Sequence, residues 1–288
     1  MINHIQFPAL GIEVTINRVA FSVFGFDIYW YGIFFAFAMV SGATVAMWMG
    51  KKIGINDDDF LDVIIAGAVC GIIGARAYYV AFAPFEYESL WDMINLRDGG
   101  IGVYGGLIAG AVAGYFLCKW KKIKYFDAAD CIFTGFLFGQ TFGRWANFMN
   151  QEAFGTNTTN IFGMISESTT RYLTRVAPSL ARQGIEVDPY MPVHPTFLYE
   201  SVWCAIGFII VISFFRSRRF SGEMLCMSAA WYGFGRFFIE GLRTDSLATG
   251  GGLRTSQIIA VVTVAISVAF MVYNYIKISK NREEGENE

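Results

Sequence analysis

The sequence predicts an all-α polytopic membrane protein with seven transmembrane helices and a small external head. Three observations carry this. Mean hydropathy is +0.43, with 17% aromatic and only 16% charged residues, a balance unlike that of ordinary soluble domains. Apolar runs of about 20 residues, the length that crosses a hydrocarbon core at helical rise, recur along the chain. Between them, Lys and Arg gather at every second connection. The slightly acidic net charge of −2 excludes a strongly basic protein and gives nucleic-acid binding no support.

Residues 1–27 form an N-terminal interfacial segment with few charges, Glu13, Arg18 and Asp27. They show no basic flank, short apolar core and small-residue cleavage site, so no cleaved leader is expected. The Ala20–Phe26 patch is expected at the membrane interface. Residues 28–149 carry the first four helices. The first, 28–50, opens on Tyr29-Trp30-Tyr31 as an aromatic belt. Lys51, Lys52 and Asp57–Asp59 follow. The second, 60–82, carries Arg76 deep in its pattern, and 83–98 is a polar connection. In the third, 99–118, Gly102, Gly106, Gly110 and Gly114 recur every fourth residue, a ridge that lets a neighbouring helix approach closely; Tyr104 lies off that ridge. Lys119, Lys121, Lys122 and Lys124 precede the fourth, 126–149.

Residues 150–193 are the long hydrophilic stretch, read as the external head, with Arg171, Arg175 and Arg182. Residues 194–276 carry helices five to seven, at 194–215, 222–242 and 256–276. Pro195 suits a first helical turn, where its missing donor is harmless, and Arg216, Arg218 and Arg219 close the fifth helix. Residues 277–288 are a charged cytoplasmic tail, expected to be disordered. An odd number of crossings puts the termini on opposite sides. Lys51/Lys52, Lys119–Lys124, Arg216–Arg219 and Lys277–Arg282 then share the cytoplasmic side, with the N-terminus outside. The end of helix four and the start of helix five face outward. The five cysteines, Cys70, Cys118, Cys131, Cys204 and Cys226, lack metal spacing and read as small packing residues. No Walker loop, zinc motif or Gly-x-Ser-x-Gly elbow is present, so no metal or nucleotide cofactor is expected.

The chain is organised around Arg144, which ends a charge-free run from Cys131 to Gly143. An Arg at the centre of a bilayer costs about 2.5–3.5 kcal/mol on insertion scales, so it needs a partner, a ligand or a route to water. Gln140, Arg144, Asn147 and Gln151 fall at i, i+4, i+7 and i+11, on one helical face. A guanidinium fork flanked by amides suits a phosphate or carboxylate; the plainer alternative is an Arg whose head reaches the aqueous surface. A second stripe on helix six holds Tyr232, Arg236, Glu240 and Arg243 at i, i+4, i+8 and i+11. Glu240 can neutralise one Arg, leaving the stripe positive; the alternative is an ion-pair ladder that only packs helices. Arg76 is a third buried cation, placed either at a ligand or against Glu200 or Glu240. His194, followed by Tyr199 and Glu200, would carry any imidazole chemistry, since the other histidine, His4, lies near the terminus. No activated Ser or Cys is visible. Such a set should bind an anionic amphiphile and could stabilise a departing phosphate, with the attacking group supplied by a substrate.

These residues also fall in motifs. Gly143-Arg144-Trp-Ala-Asn147-Phe148-Met-Asn150-Gln-Glu152-Ala-Phe-Gly155 resembles the signature of the prolipoprotein diacylglyceryl transferase family. Gly105-Gly106-Leu107-Ile108, His194-Pro195-Thr-Phe-Leu198-Tyr199-Glu200 and Tyr232-Gly-Phe-Gly-Arg236-Phe-Phe-Ile-Glu240-Gly-Leu-Arg243 resemble further family motifs, as do Tyr29-Trp-Tyr31-Gly32 and Gly74-Ala-Arg76. The matches run in order from helix one to helix six and are jointly specific; the segment 156–192 matches poorly apart from Phe162-Gly163-Met164.

The resemblance implies an enzyme of the bacterial inner membrane. It would move the diacylglyceryl group of phosphatidylglycerol to the lipobox cysteine thiol of a prolipoprotein signal peptide. A thioether forms and glycerol 1-phosphate leaves. Arg144 and Arg236 would hold the phosphate and stabilise the leaving group. Asn147, Glu152 and Glu240 would fix the glycerol head or orient the arginines, and Gly155, Tyr29, Arg76, Tyr232 and Arg243 would complete the substrate site. Many members carry a histidine ahead of Gly-Gly-Leu-Ile; this chain has Tyr104. The base that generates the thiolate, the reactive form of a thiol, stays open among His194, Tyr104, a carboxylate and the phosphate itself. The competing class is a transporter or channel for an anionic solute, which would favour inverted repeats that the sequence does not show.

Overall fold

This computed structural model describes residues 2–83, 87, 89–95, 99–182, 184–243 and 254–285. The chain forms two units: Met1–Gly42 with Phe133–Glu288, and Ala43–Ile132. The backbone is mostly helical. The long helices are α1 Trp30–Lys52, α2 Asp57–Ala81, α4 Val103–Trp120, α5 Tyr125–Asn150, α7 Thr196–Phe214, α8 Glu223–Leu242 and α9 Thr255–Gly285, with two shorter ones, α3 Leu90–Ile94 and α6 Glu167–Ala181. Among the described residues, five of them, α1, α2, α4, α7 and α9, are long and apolar enough to cross a membrane. The protein is therefore a multi-pass membrane protein. Helices α5 and α8 coincide with the fourth and sixth predicted spans; their polar stripes lower their hydropathy. The tail expected to be disordered after 277 instead continues α9 to Gly285. Its Lys and Glu residues are good helix formers, and basic side chains near a helix C-terminus favour the local dipole.

The expectation of an all-α chain needs correction in the first unit, whose described residues contain five strands. They are β1 Ile2–Phe7, β2 Ile12–Asn17, β3 Val19–Val23, β4 Phe26–Tyr29 and β5 Ile165–Ser166. β2, β1 and β5 form one antiparallel sheet in that order, with Ile5 opposite Ser166, and β3 pairs with β4 in a hairpin. Short strands of period two leave little trace in a hydropathy scan tuned to 20-residue helices. In β1 the alternation buries Asn3 and Ile5 on one face. Helix α6 opens with a capping box in which Ser166 and Thr169 satisfy each other's backbone donors, as such boxes do. Its Leu173 then packs with Ile5, Ile16, Phe154, Met164 and Val193 into a small core. So the N-terminal segment and the 150–193 stretch, separate in the sequence reading, share one sheet–helix module.

That core also takes in Phe148 from the last turn of α5 and Phe197 from the first turn of α7. Their rings stack with centroids 4.6 Å apart. One turn deeper, Ser201 donates to the Thr141 carbonyl at 2.6 Å and accepts from Trp145 Nε1 at 3.2 Å. These contacts set α5 against α7 just where both helices carry charge. Helix α1 closes on α5 through backbone contact at Gly42 against Gly135 and Gly139 against Ala38, where no side chain would fit.

In the second unit, α2 and α4 pack along a shared small-residue seam. Gly106 and Gly110 of the predicted ridge face the carbonyls of Gly71 and Gly67, the close backbone approach that small residues allow between membrane helices. The end of the seam near the α2 N-terminus is tied by Lys121, which reaches Asp59 at 2.8 Å and Asp62 at 2.6 Å.

Candidate active site

The site is built at the C-terminal end of α5. The amide of Glu152 donates to the Asn147 carbonyl at 3.0 Å, and that of Gln151 to the Phe148 carbonyl at 3.1 Å. This is a Schellman stop, whose turning residue adopts the left-handed conformation, usually as glycine. Here it is Gln151, at φ +52°, and Ala153 follows at φ +56°. The Gln151 side chain returns to the Phe148 carbonyl at 2.7 Å, which supports the turn. The Asn147 amide also holds the Glu152 carboxylate at 3.0 Å, so Glu152 is tied to Asn147 by backbone and side chain.

Beyond that stop, three chain segments meet through their backbones. Gly155 donates to the His194 carbonyl at 2.9 Å, His194 to the Thr156 carbonyl at 3.0 Å and Thr156 to the Leu242 carbonyl at 2.7 Å. Thr196 Oγ1 donates to the Ala153 carbonyl. Gly155 bridges to Arg243. A methyl group on Gly155 would stand 2.8 Å from both His194 Cβ and the Leu242 oxygen, so only glycine fits.

Inside this junction lies an ion-pair ladder across α5, α7 and α8. Arg144 Nε sits 2.6 Å from Glu200 Oε2, and Arg144 Nη2 donates to the Tyr232 hydroxyl at 3.0 Å. Arg236 Nη1 donates to the other oxygen of Glu200 at 3.0 Å, and its Nη2 sits 2.5 Å from Glu240 Oε2. Arg254, at the head of α9, donates to the Glu240 carbonyl. One carboxylate thus bridges two guanidinium groups. Glu200 and Glu240 match Arg144 and Arg236 in number, while Arg243 of the helix-six stripe and Arg254 beside Glu240 add positive charge. The neutralising group, Glu200, comes from α7, which the periodicity of one helix cannot reveal. The carboxylates lie deepest, Glu200 6% and Glu240 5% exposed, against 16% and 21% for Arg144 and Arg236. An arginine has five donors, more than the ladder contacts of Arg144 and Arg236 use.

Arg144, Tyr232, Arg236 and Glu240 therefore share one cluster with Glu200, while Asn147 is joined to Glu152, and Gly155 to His194 and Arg243, at the ends of the helices that carry it. His194 Nδ1 is 3.2 Å from the Tyr199 hydroxyl, and burial pushes its imidazole below the ordinary value. Tyr29 closes β4 and is half exposed. Arg76 and Tyr104 belong to the second unit. Arg76 is buried and commits its fork to backbone carbonyls. Nε goes to Met93 at 2.8 Å, Nη1 to Gly99 at 2.5 Å and Gly100 at 2.9 Å, and Nη2 to Asp92 at 2.6 Å. Tyr104 is partly exposed on α4.

Sequence reasoning missed Arg18 as well as the bridging role of Glu200. Arg18 donates to the Asn150 carbonyl at 2.5 Å and thereby caps the end of α5. An arginine in a segment otherwise poor in charge was the available signal.

Fold and site together define a multi-pass membrane protein built around a buried arginine–carboxylate ladder across α5, α7 and α8. Residues 18–273 match the prolipoprotein diacylglyceryl transferase family, and the chain belongs to that family. Curated relatives named phosphatidylglycerol–prolipoprotein diacylglyceryl transferase align over nearly the whole chain. The one from Clostridioides difficile (strain 630) is 39% identical over 269 residues, 93% of this chain and 99% of the relative. That from Finegoldia magna is 36% identical over 270 residues, 93% of this chain and all of the relative. One from Staphylococcus epidermidis is 37% identical over 263 residues, 91% of this chain and 90% of the relative.

Proposed function

We infer that this protein transfers the diacylglyceryl group of phosphatidylglycerol to the cysteine thiol of prolipoproteins. The observation that carries the reading is the Arg144–Glu200–Arg236–Glu240 ladder lying within the motifs of a family whose relatives bear that activity in their names. The acceptor is the lipobox cysteine of a signal peptide. The substrate brings the sulfur, which fits a site whose charged cluster contains no activated nucleophile of its own.

The cysteine thiolate attacks the glyceryl carbon that bears the phosphate ester. The sulfur–carbon bond forms, the carbon–oxygen bond breaks, and its electron pair leaves on glycerol 1-phosphate. The thiol proton passes to a base, His194 or Tyr104, to a carboxylate, or to the phosphate itself. Arg144 and Arg236 hold the phosphate with the donors they do not spend on Glu200 and Glu240. Preorganised donors aimed at developing negative charge supply the main stabilisation in such sites. Glu200 and Glu240 keep the guanidinium groups oriented, and Asn147 with Glu152 fixes the glycerol head. Gly155, Tyr232 and Arg243 shape the site wall, and Tyr29 acts from the end of β4.

In the bacterial inner membrane, seven helices cross, with α5 and α8 joining the five apolar spans. At 26 and 20 residues they reach about 39 and 30 Å at 1.5 Å per residue, enough for the hydrocarbon core. Their polar stripes are matched internally by the ladder. The N-terminus and the sheet–helix module lie outside, where a helix stop at Asn150 meets lipid headgroups, and the C-terminus is cytoplasmic. The β3–β4 hairpin, with Phe21, Phe24 and Phe26 exposed, rests in the interface.

Purified protein in nanodiscs, given phosphatidylglycerol and a lipobox peptide, should yield thioether-linked peptide with stoichiometric glycerol phosphate. Solute flux through liposomes without product would instead indicate an anion transporter.

A further inference from the structure

Two tryptophans one helical turn from the ladder form a reciprocal clasp between α7 and α8. Trp203 Nε1 donates to the backbone carbonyl of Trp231 at 2.9 Å, and Trp231 Nε1 donates to that of Trp203 at 2.8 Å. The two indoles stack with centroids 4.3 Å apart and planes 15° apart. Each ring lies over a buried glycine four residues along the partner helix. A Cβ on Gly207 would run into the Trp231 ring, and one on Gly235 into the Trp203 ring. The two glycines occupy equivalent positions, since both helices read Trp-x-x-x-Gly, at 203–207 and 231–235. In an α-helix the carbonyl of residue i already accepts the amide of i+4. Each tryptophan carbonyl therefore serves its own helix and the facing indole, and the glycine at i+4 is what lets the indole reach it.

A clasp of this kind sets separation and register together. Stacking fixes how closely the helices approach, and two antiparallel donor–acceptor pairs resist sliding of one helix along the other. The charged residues it would place are adjacent. Glu200 precedes Trp203 by three positions on α7; Tyr232 follows Trp231 directly, and Arg236 follows Gly235 on α8. Glu200, Trp203, Tyr232, Gly235 and Arg236 line one narrow cleft.

We propose that Trp203 and Trp231 are positioning residues of the transferase site: their clasp holds Glu200 on α7 in register with Arg236 on α8, so that one carboxylate can bridge both arginines. The proposal rests on the transferase reading for its kinetic consequence and on geometry alone for its effect on the ladder. A misplacement of about 1 Å can cost about 100-fold in rate, so the effect belongs to turnover more than to lipid binding.

The test uses full-length protein in nanodiscs with W203F, W231F and the double variant. In parallel, a benzothienyl analogue of tryptophan is placed at 203 or 231, which keeps the ring's shape and removes only the N–H donor. Near-UV circular dichroism reports the stacked pair, and kinetics with phosphatidylglycerol and a lipobox peptide report the site. The expected result is loss of kcat by about 10- to 100-fold with KM for phosphatidylglycerol little changed. The double variant should be scarcely worse than either single, because one broken half opens the clasp. Normal kcat in folded variants that lack the donor would overturn the proposal.

A second cycle reads thermal unfolding for W203F, E200Q and their combination, independently of activity. If the clasp seats Glu200, E200Q should lower Tm less in W203F than in the parent; strictly additive shifts overturn the proposal. Wild-type protein that makes no thioether product would defeat the transferase reading, while the unfolding cycle would still decide whether the clasp positions the ladder.

Discussion

At the scale of single residues, the ladder makes Arg144 and Arg236 interdependent before any lipid arrives, because Glu200 gives one oxygen to each. Removing a donor aimed at developing negative charge costs about 2.7–4 kcal/mol in a comparable site. Arg144→Ala and Arg236→Ala should each reduce turnover by about 100-fold or more on that comparison. Lysine should rescue only in part, since it keeps the charge and loses the fork. The double variant should be less impaired than the product of the singles. Part of that coupling arises at Glu200 rather than at a phosphate, so the same cycle on Tm measures the resting share. Coupling in rate no larger than coupling in stability would argue against a shared phosphate. His194 offers a separate handle. Burial lowers its folded-state pKa, so the unfolded chain binds the extra proton first as pH falls below about 6.5. Stability is intact above that value and declines as pH drops through the folded value. His194→Gln should flatten this acid limb of Tm against pH. If His194 is the base, the substitution also lowers turnover at saturating lipid without abolishing lipid binding; near-normal turnover would pass the role to Tyr104 or a carboxylate.

At the scale of elements, helix ends carry the functional geometry. The stop of α5 uses non-glycine residues at Gln151 and Ala153 in left-handed conformation, each of which costs about 1–2 kcal/mol relative to an unstrained residue. Ala153→Gly should therefore raise Tm, or at least not lower it, offset by the greater freedom of glycine in the unfolded chain. A clear fall in Tm would mean that the Ala153 methyl contributes packing beyond that strain. Arg76 is the opposite case. Four carbonyls converge on its guanidinium, and hydrogen bonds to a charged group contribute about 1.5–3 kcal/mol each. Arg76→Met should destabilise the protein by about 3 kcal/mol or more. A rise in KM for phosphatidylglycerol without loss of stability would place Arg76 at the lipid instead.

At the scale of the whole molecule, the alternating basic connections predict which ends share a compartment. Single cysteines substituted at Lys122 and Asn157, in a background freed of the five native ones, should label from opposite sides of the membrane. Labelling of both from outside intact cells would overturn the seven-span topology. Four of the native cysteines are buried, so the cysteine-free parent needs Ala or Ser at packed positions and a check that it still folds.

The long helices were legible in the sequence because hydropathy and the 3.6-residue period are local properties, readable within one window. The Gly106–Gly110 face that α4 turns to α2 was legible for the same reason. So were the stripes containing Arg144 and Arg236 up to their last members, Gln151 and Arg243, which lie beyond the ends of α5 and α8 rather than on their faces. The Trp-x-x-x-Gly pattern stood twice in the sequence, yet nothing in either copy said that the other was its partner. Contacts between distant segments decided the rest. Ile5 pairs with Ser166 across most of the chain, and Arg18 caps the helix that ends at Asn150. Glu200 meets Arg144 where the Phe148–Phe197 stack brings the ends of α5 and α7 together, and it meets Arg236 across the packed pair α7 and α8. A periodicity shows which side chains share a face; which face meets it, and whether a buried charge finds a carboxylate or a ring of carbonyls, depends on the folded neighbours.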